Sequence, residues 1–201
     1  LDRLESNAAW ALQRARELGV RLRPHVKTHK CIEIARIQCG GRPRPVAVST
    51  LAEARALASD GFRDITYAVP LTPQRVGEAA DLGRDLDRFG CLVDSQEVAA
   101  ALEAFGAAQG VRFPVLLKVD CGYHRAGVDP GGEEGPALAA RMTASPHLAF
   151  EGVLTHAGQA YTARTRQEVL EAARAERDVL AGFARRLGER GIGVREASVG
   201  S

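Results

Sequence analysis

The sequence has few aromatic residues and no excess of charge of either sign. Aromatic residues make up 5% of the 201 residues, and 27 Lys and Arg residues against 25 Asp and Glu residues leave a formal net charge of +2. Nucleic-acid surfaces and polybasic membrane patches need clustered positive charge, and RNA-binding modules interleave it with aromatic residues. The composition therefore argues against nucleic-acid and membrane partners.

Long apolar runs and a cysteine framework are also missing. No stretch approaches the roughly 18 consecutive apolar residues that cross a bilayer, and no signal-peptide pattern opens the chain. The four cysteines are scattered without a CxxC pair, at Cys31, Cys39, Cys91 and Cys121. This pattern favours reduced thiols and a cytoplasmic protein. The sequence begins at Leu1 without a methionine, so we expect an excerpt of a longer polypeptide.

One local pattern recurs along the chain: an apolar, strand-like run, a capping residue and an amphipathic helical stretch. Capping boxes at 50–53 and 165–168 predict helices that reach about Asp60 and Glu189. Asp94, with an acidic residue three positions on, predicts another helix start. The strand-like runs are VRLRPHVKTHK (20–30), RPVAVST (44–50), DITYAVP (64–70), RFGCLVDS (88–95), RFPVLLKVD (112–120), LAFEGVLTH (148–156) and REASVGS (195–201).

Strands that alternate with helices predict right-handed βαβ units and a parallel sheet. A doubly wound open sheet and a (β/α)8 TIM-type barrel both fit this order. No GxGxxG motif follows the first run, which argues against a dinucleotide-binding open sheet. We therefore predict an α/β fold in which residues 1–201 form one domain, an incomplete barrel of about seven βα units.

The first run carries Arg23, His25 and Lys27 at alternate positions. On a strand these three side chains share one face, which would point into the barrel if the apolar face meets the helices. A buried amine loses its proton readily, and such a lysine forms imines with aldehydes. The alternative is that Lys27 lies past the strand end in solvent, beside Lys30.

Charged residues also end the run at 112–120. Lys118 and Asp120 fall on the same side as Leu116, and a following glycine permits a turn that folds Arg125 back over the barrel mouth. An arginine there keeps its charge and can polarise a ring oxygen or a ring nitrogen. The alternative is that Lys118 and Asp120 neutralise each other or a neighbouring strand.

The segments GVLTHAGQAY (152–161) and SVGS (198–201) end the last two runs. His156 lies at a strand end, where barrel enzymes place working residues, and Tyr161 follows closely. A hydrogen-bonded core histidine is the alternative. Backbone N–H groups and hydroxyls of the terminal segment can bind a phosphate, and they belong to Ser198, Gly200 and Ser201.

The segments RPHVKTHK, KVDCGYHRAGV, THAGQAY and SVGS occur in an order and spacing that resemble the alanine-racemase-like, fold-type III pyridoxal-phosphate enzymes. The likeness covers the whole chain, but only the N-terminal part of such proteins, and it is strongest to the D-serine dehydratase and D-threonine aldolase branch. It implies pyridoxal 5′-phosphate as cofactor. The residues it implies are the Schiff-base lysine Lys27, the ring contact Arg125, the pocket residues His156 and Tyr161, and the phosphate-cradle residues Gly200 and Ser201.

The resemblance also implies an activity and partners. The activity is that of a lyase on D-amino acids with a β-hydroxyl, either elimination to a keto acid and ammonia or retro-aldol cleavage, and the THAGQAY segment favours elimination. The family's C-terminal β-domain is absent here, so no metal ligand is expected in this sequence, and a divalent metal, zinc or manganese, would be bound elsewhere. A small-molecule substrate and a homodimer are implied. A racemase, a non-catalytic pyridoxal-phosphate carrier and a basic binding module stay open as alternatives.

Overall fold

The structure is a computed structural model that describes residues 1–200. The chain divides into two compact units. Unit 1 comprises Leu1–Val69 and Gly77–Gly90, and unit 2 comprises Pro70–Val76 and Cys91–Ser201. The single domain expected over residues 1–201 stays a prediction.

Helices and strands alternate in both units. The α-helices are α1 (Asp2–Glu17), α2 (Ile32–Gln38), α3 (Leu51–Ser59), α4 (Val76–Asp85), α5 (Gln96–Gln109), α6 (Glu134–Ala144) and α7 (Arg166–Glu189). The strands are β1 (Val46–Val48), β2 (Asp64–Pro70), β3 (Arg88–Val93), β4 (Phe113–Lys118), β5 (Leu148–Leu154) and β6 (Glu196–Ser198). Short 3-10 helices cover Val26–Thr28, Pro73–Arg75 and Gly158–Thr162.

The strands pair in parallel and in chain order. In unit 1, Val46 of β1 lies opposite Ile65 of β2. In unit 2, β4 pairs with the second half of β3 on one side and with β5 on the other, and β5 pairs with β6. The strand order follows the chain order, from β1 to β6. The predicted parallel α/β architecture is confirmed, with fewer strands than the eight of a closed barrel.

The first predicted strand is wrong. Within residues 20–30, His25 forms one parallel bridge with Ala47, and the chain then enters the 3-10 helix Val26–Thr28. Pro24 has no N–H to donate, although its carbonyl accepts a 2.8 Å hydrogen bond from the N–H of Ala47. The described residues therefore contain six strands where seven were predicted, and the run at 20–30 contributes only this bridge.

Two of the predicted helix starts are confirmed, and a third begins one residue later than predicted. The hydroxyl of Thr50 accepts a 3.1 Å hydrogen bond from the N–H of Glu53 at the start of α3, and Thr165 caps α7 in the same way at 3.2 Å. At α5 the cap is Ser95, whose hydroxyl accepts from a backbone N–H at 3.3 Å, and Asp94 is wrong as the cap. The reason is that the extended backbone at Ser95 directs its own hydroxyl to the first turn.

The core and surface agree with the composition. Fully buried aliphatic and aromatic side chains fill the interior of each unit, and the four cysteines are free thiols, as predicted. No helix within residues 1–200 combines the length and the apolar composition that a membrane span requires.

The cap of α7 offers a test of the local account. Replacing Thr165 with Ala removes a side-chain acceptor at the helix start, so we expect the free energy of unfolding to fall by about 1 kcal/mol in urea denaturation. Thr72, also exposed and also before a helix, makes no capping bond with its side chain. Thr72→Ala should therefore change stability by a few tenths of a kcal/mol, about the size of an ordinary surface effect. Equal losses in both variants would contradict the capping role.

Candidate active site

Lys27 lies in a capped 3-10 turn of unit 1. The Nδ1 of His25 accepts a 3.3 Å hydrogen bond from the backbone N–H of Lys27. The Nε2 of the same ring lies 3.4 Å from the hydroxyl oxygen of Ser49 and, in the neutral ring, donates to it. His25, for which the sequence indicates no role, therefore positions the turn that carries Lys27. A histidine two residues before the candidate lysine is the only sequence signal of this contact.

The nearest Lys or Arg on each side of Lys27 in the sequence lies next to a carboxylate, whereas Lys27 does not within residues 1–200. Arg23 forms a 2.7 Å ion pair with Asp64, and Lys30 lies 3.5 Å from the carboxylate of Glu53. The half-buried Lys27 amine forms no hydrogen bond or ion pair within residues 1–200. The prediction that Arg23 and Lys27 share a strand face is wrong, because the strand alternation ends at the turn.

In unit 2 three leucines of adjacent strands form a leucine layer, in which the register sets Leu92 opposite Leu116 and sets Leu154 opposite Lys118. Leu92, Leu116 and Leu154, from three adjacent strands, form one buried cluster. The residues two positions further on are polar; one is the last residue of β4, and the other two follow the ends of β3 and β5. Those residues are Asp94, Lys118 and His156. A polar layer therefore lies next to the leucine layer, at the carboxyl ends of the strands.

Lys118 is the buried amine of this polar layer. Its residue is 5% exposed, and burial lowers the pKa of Lys118 to about 8, with a further decrease from the positive charge of Arg125. Burial also raises the pKa of Asp94, just after the neighbouring strand β3, although a hydrogen bond from the N–H of Gly127 opposes that change. The inward orientation predicted for Lys118 agrees with this burial.

Asp120 does not form the predicted alternative ion pair with Lys118 among the described residues. Its carboxylate accepts hydrogen bonds from the N–H groups of Gly122 (2.9 Å) and His124 (3.0 Å) and pairs with Nδ1 of His124 at 2.7 Å. These contacts fix the turn after β4. The chain then returns beside its own strand, where Val128 bridges Val119.

The turn after β4 brings Arg125 to an aromatic cluster. The guanidinium carbon of Arg125 lies 5.5 Å from the ring centre of Tyr123, and that ring meets His156 edge-on with centres 6.2 Å apart. The rings of His156 and Tyr161 are 5.5 Å apart. A Cβ at Gly158 would collide with the Tyr123 ring, so only glycine fits there.

This cluster unites three of the predicted site residues with one that the sequence analysis missed. Arg125, His156 and Tyr161 were expected at a cofactor, and Tyr123 joins Arg125 to His156. Tyr161 is 60% exposed. The roles of these residues at a cofactor stay predictions. Tyr123 could have been found as the aromatic residue two positions before the predicted arginine.

Two polar side chains connect the loops of unit 2. The amide nitrogen of Gln159 donates a 3.2 Å hydrogen bond to the carbonyl of Cys121. The buried carboxylate of Glu176, on α7, accepts from the N–H groups of Ala157 (3.1 Å) and Gly200 (3.2 Å). The sequence analysis missed Glu176, although it lies on the buried stripe of α7 with Leu180, Phe183 and Leu187.

The predicted phosphate cradle is described only in part. The N–H of Gly200 is already bonded to Glu176, and its φ of 136° is one that glycine adopts readily. Ser201 lies outside the described residues. The predicted participation of Gly200 and Ser201 in phosphate binding stays a prediction.

Side chains of the two units, each considered by itself, fit the aldehyde group and the ring of an aldehyde cofactor. Such a cofactor needs an amine for covalent attachment and polar groups around its ring. Lys27 supplies a half-buried amine without a partner among residues 1–200, and Arg125 supplies a permanent positive charge. In unit 2 the buried amide oxygen of Gln159 also has no hydrogen-bond partner within the described residues. For a metal, residues 1–200 contain no group of three or more His, Cys, Asp or Glu side chains arranged to hold one.

Comparison with known proteins gives a consistent set of relatives. The sequence model described as "Alanine racemase, N-terminal domain" matches residues 1–201. The D-threo-3-hydroxyaspartate dehydratase of Delftia sp. (strain HT23) is 38% identical over 100% of this chain and 53% of that enzyme. The D-serine dehydratase of Dictyostelium discoideum is 33% identical over 98% of this chain and 53% of that enzyme.

Solved structures agree. The structure of the Delftia dehydratase aligns with a TM-score of 0.90 at 36% identity, over 99% of this chain and 52% of that one. The D-threonine aldolase from Filomicrobium marinum aligns with a TM-score of 0.91 at 26% identity, over 99% of this chain and 54% of that one. The chain therefore spans about half the length of these relatives.

The burial of Lys118 predicts a pH-dependent stability. With a folded pKa of about 8 and an unfolded pKa near 10.5, the unfolded chain binds more protons between these values, so wild-type stability rises with pH across that window. Lys118→Met lacks this titration. Because it removes the cost of burying a charged amine, this variant should exceed wild type in free energy of unfolding at pH 7. We expect that excess to shrink by about 2 to 3 kcal/mol between pH 7 and pH 10 in urea denaturation.

The matched control is Lys30→Met, at a side chain that is 64% exposed. Its stability relative to wild type should change little over the same pH range, because an exposed ammonium keeps its hydration. A Lys118→Met difference that is equally independent of pH would contradict the burial of the charged amine.

Proposed function

Because the chain belongs to the family of the alanine racemase N-terminal domain, we propose that the protein is a pyridoxal-phosphate-dependent lyase of D-amino acids with a β-hydroxyl. Pyridoxal 5′-phosphate is the cofactor of this family. The relatives include a D-threo-3-hydroxyaspartate dehydratase and a D-serine dehydratase, and both named amino acids carry a hydroxyl on the β-carbon. Elimination to a keto acid and ammonia is therefore the proposed reaction.

The observation that carries the proposal is the environment of Lys27. A half-buried amine on a capped turn, with no counterion within residues 1–200, is available for covalent attachment of an aldehyde. Lys30, three residues on, is mostly exposed and lies beside Glu53, so it is the weaker candidate. We assign the covalent attachment to Lys27. Its amine, when free, is also the proposed base that takes the α-proton of the substrate.

Groups of unit 2 have supporting roles in this proposal. Pyridoxal phosphate, when bound, withdraws electrons from the α-carbon of the substrate and so stabilises the negative charge that develops there. Arg125 keeps its positive charge at any working pH, and we assign it to the cofactor ring. His156 and Tyr161, which contact each other, are assigned to the same pocket on the family resemblance.

Other parts of the proposal rest on the resemblance alone. Gly200 and Ser201 are assigned to the start of the phosphate cradle. A divalent metal that polarises the β-hydroxyl would be bound by residues outside this chain, and a mutant of a D-threo-3-hydroxyaspartate dehydratase has been solved in a metal-free form. The homodimer is expected from the family, and the cytoplasmic location from the four free thiols.

An assay of products tests the proposed reaction. We expect keto acid and ammonia from D-serine and D-threo-3-hydroxyaspartate, and a fall in rate of about 10²-fold or more in Lys27→Ala because the base is removed. Lys30→Ala, with the neighbouring exposed lysine removed, should retain a rate within about twofold of wild type, as expected for a surface change.

Other products would redirect the assignment. Release of an aldehyde and glycine from D-threonine, with no keto acid from D-serine, would replace elimination by retro-aldol cleavage. Interconversion of D- and L-alanine without keto acid would indicate a racemase. Equal rates in Lys27→Ala and Lys30→Ala would remove Lys27 from the mechanism.

A further inference from the structure

Glu176 is a buried carboxylate without a part in the proposed reaction. It is 4% exposed and lies on the buried stripe of α7, about one turn before Leu180 and two turns before Phe183. A helix position of this kind normally carries an aliphatic residue, since burying a carboxylate is unfavourable unless hydrogen bonds and opposite charge compensate it. The residue therefore needs an explanation beyond packing.

The hydrogen bonds of Glu176 reach two loops that are far apart in sequence. One carboxylate oxygen accepts the N–H of Ala157, which follows His156 at the end of β5, at 3.1 Å. The same oxygen accepts the N–H of Gly200, which follows β6, at 3.2 Å. Glu176 thus joins the carboxyl ends of two neighbouring strands from the helix that connects them.

Charge in the same unit supports a carboxylate at this position. Lys118 is the buried amine of the polar layer, and the negative charge of Glu176 raises its pKa, although the larger effect of burial lowers it. An ionised Glu176 accepts backbone hydrogen bonds more strongly than a neutral acceptor does. The carboxylate therefore combines two N–H contacts with partial compensation of a buried ammonium.

We propose that Glu176 is a positioning residue for cofactor binding, which holds the His156 loop and the Gly200 segment in fixed relation through their backbone N–H groups. This role rests on the proposed function, because it is the cofactor that the two loops are expected to contact. Gly200 contributes the backbone conformation, with φ of 136°, in which its N–H reaches the carboxylate. Glu176 acts through these loops and need not touch the cofactor.

Amide hydrogen exchange in the cofactor-free protein tests the contact directly. In Glu176→Ala, exchange at the N–H groups of Ala157 and Gly200 should accelerate about tenfold or more, because both lose their side-chain acceptor. Glu176→Gln keeps an amide oxygen in the same place and should restore most of the protection. Glu176→Asp keeps the charge but shortens the side chain, so it should resemble Glu176→Ala.

Cofactor affinity tests the function of the contact. Absorbance titration with pyridoxal 5′-phosphate should give a dissociation constant about tenfold or more higher in Glu176→Ala and Glu176→Asp than in wild type, with rescue in Glu176→Gln. The control is Leu180→Ala, which removes a buried side chain one turn along α7. It should lower thermal stability but leave both the affinity and the two exchange rates near wild-type values.

The outcomes separate the two proposals. Unchanged exchange at Ala157 and Gly200, or changed exchange with unchanged affinity, would overturn the role of Glu176 alone. Failure of the wild type to bind the cofactor would overturn the proposed function and be visible before any variant is compared. If Glu176→Ala does not fold, the comparison of Glu176→Gln with Glu176→Asp decides, and equal affinity in these two variants overturns the proposal.

Discussion

The parallel register of β3, β4, β5 and β6 in unit 2 is the constraint on which the candidate site depends. It sets Leu92 opposite Leu116 and Lys118 opposite Leu154, the three leucines pack in one buried cluster, and Asp94 and His156 follow the ends of β3 and β5. A one-residue slip of any strand would exchange its leucine for a residue of the opposite face. The polar layer therefore lies where these parallel strands end, next to the buried leucines.

Most of the fold could be predicted because its signals are local. The capping threonines at 50 and 165 each bond the residue that the capping box predicts, and six apolar runs became strands. The first run could not be predicted, since its alternation of charge looks like a strand while Pro24 and the following turn limit it to one bridge. Only the hydrogen bonds of the folded chain distinguish a strand from a single bridge that is followed by a turn.

Residues of the candidate site could be predicted from the sequence when their side-chain type suggests a chemical role. Residues that matter only because of their position in the fold were harder to predict. Arg125, His156 and Tyr161 form part of one cluster, but Tyr123, which connects them, has no distinctive motif. Glu176 and His25 act through backbone N–H groups that sequence patterns do not reveal. Lys118, whose burial lowers its pKa to about 8, is a second chemically plausible amine in addition to Lys27.

The choice between these two amines tests the account most directly. The measurement is borohydride reduction of the protein with bound pyridoxal 5′-phosphate, followed by proteolysis and mapping of the labelled peptide. A covalent label on Lys27, with Lys118 unmodified, is the result we expect from a half-buried amine without a partner in the described part of the chain. A label on Lys118 in place of Lys27 would contradict the assignment of the cofactor lysine and the mechanism built on it.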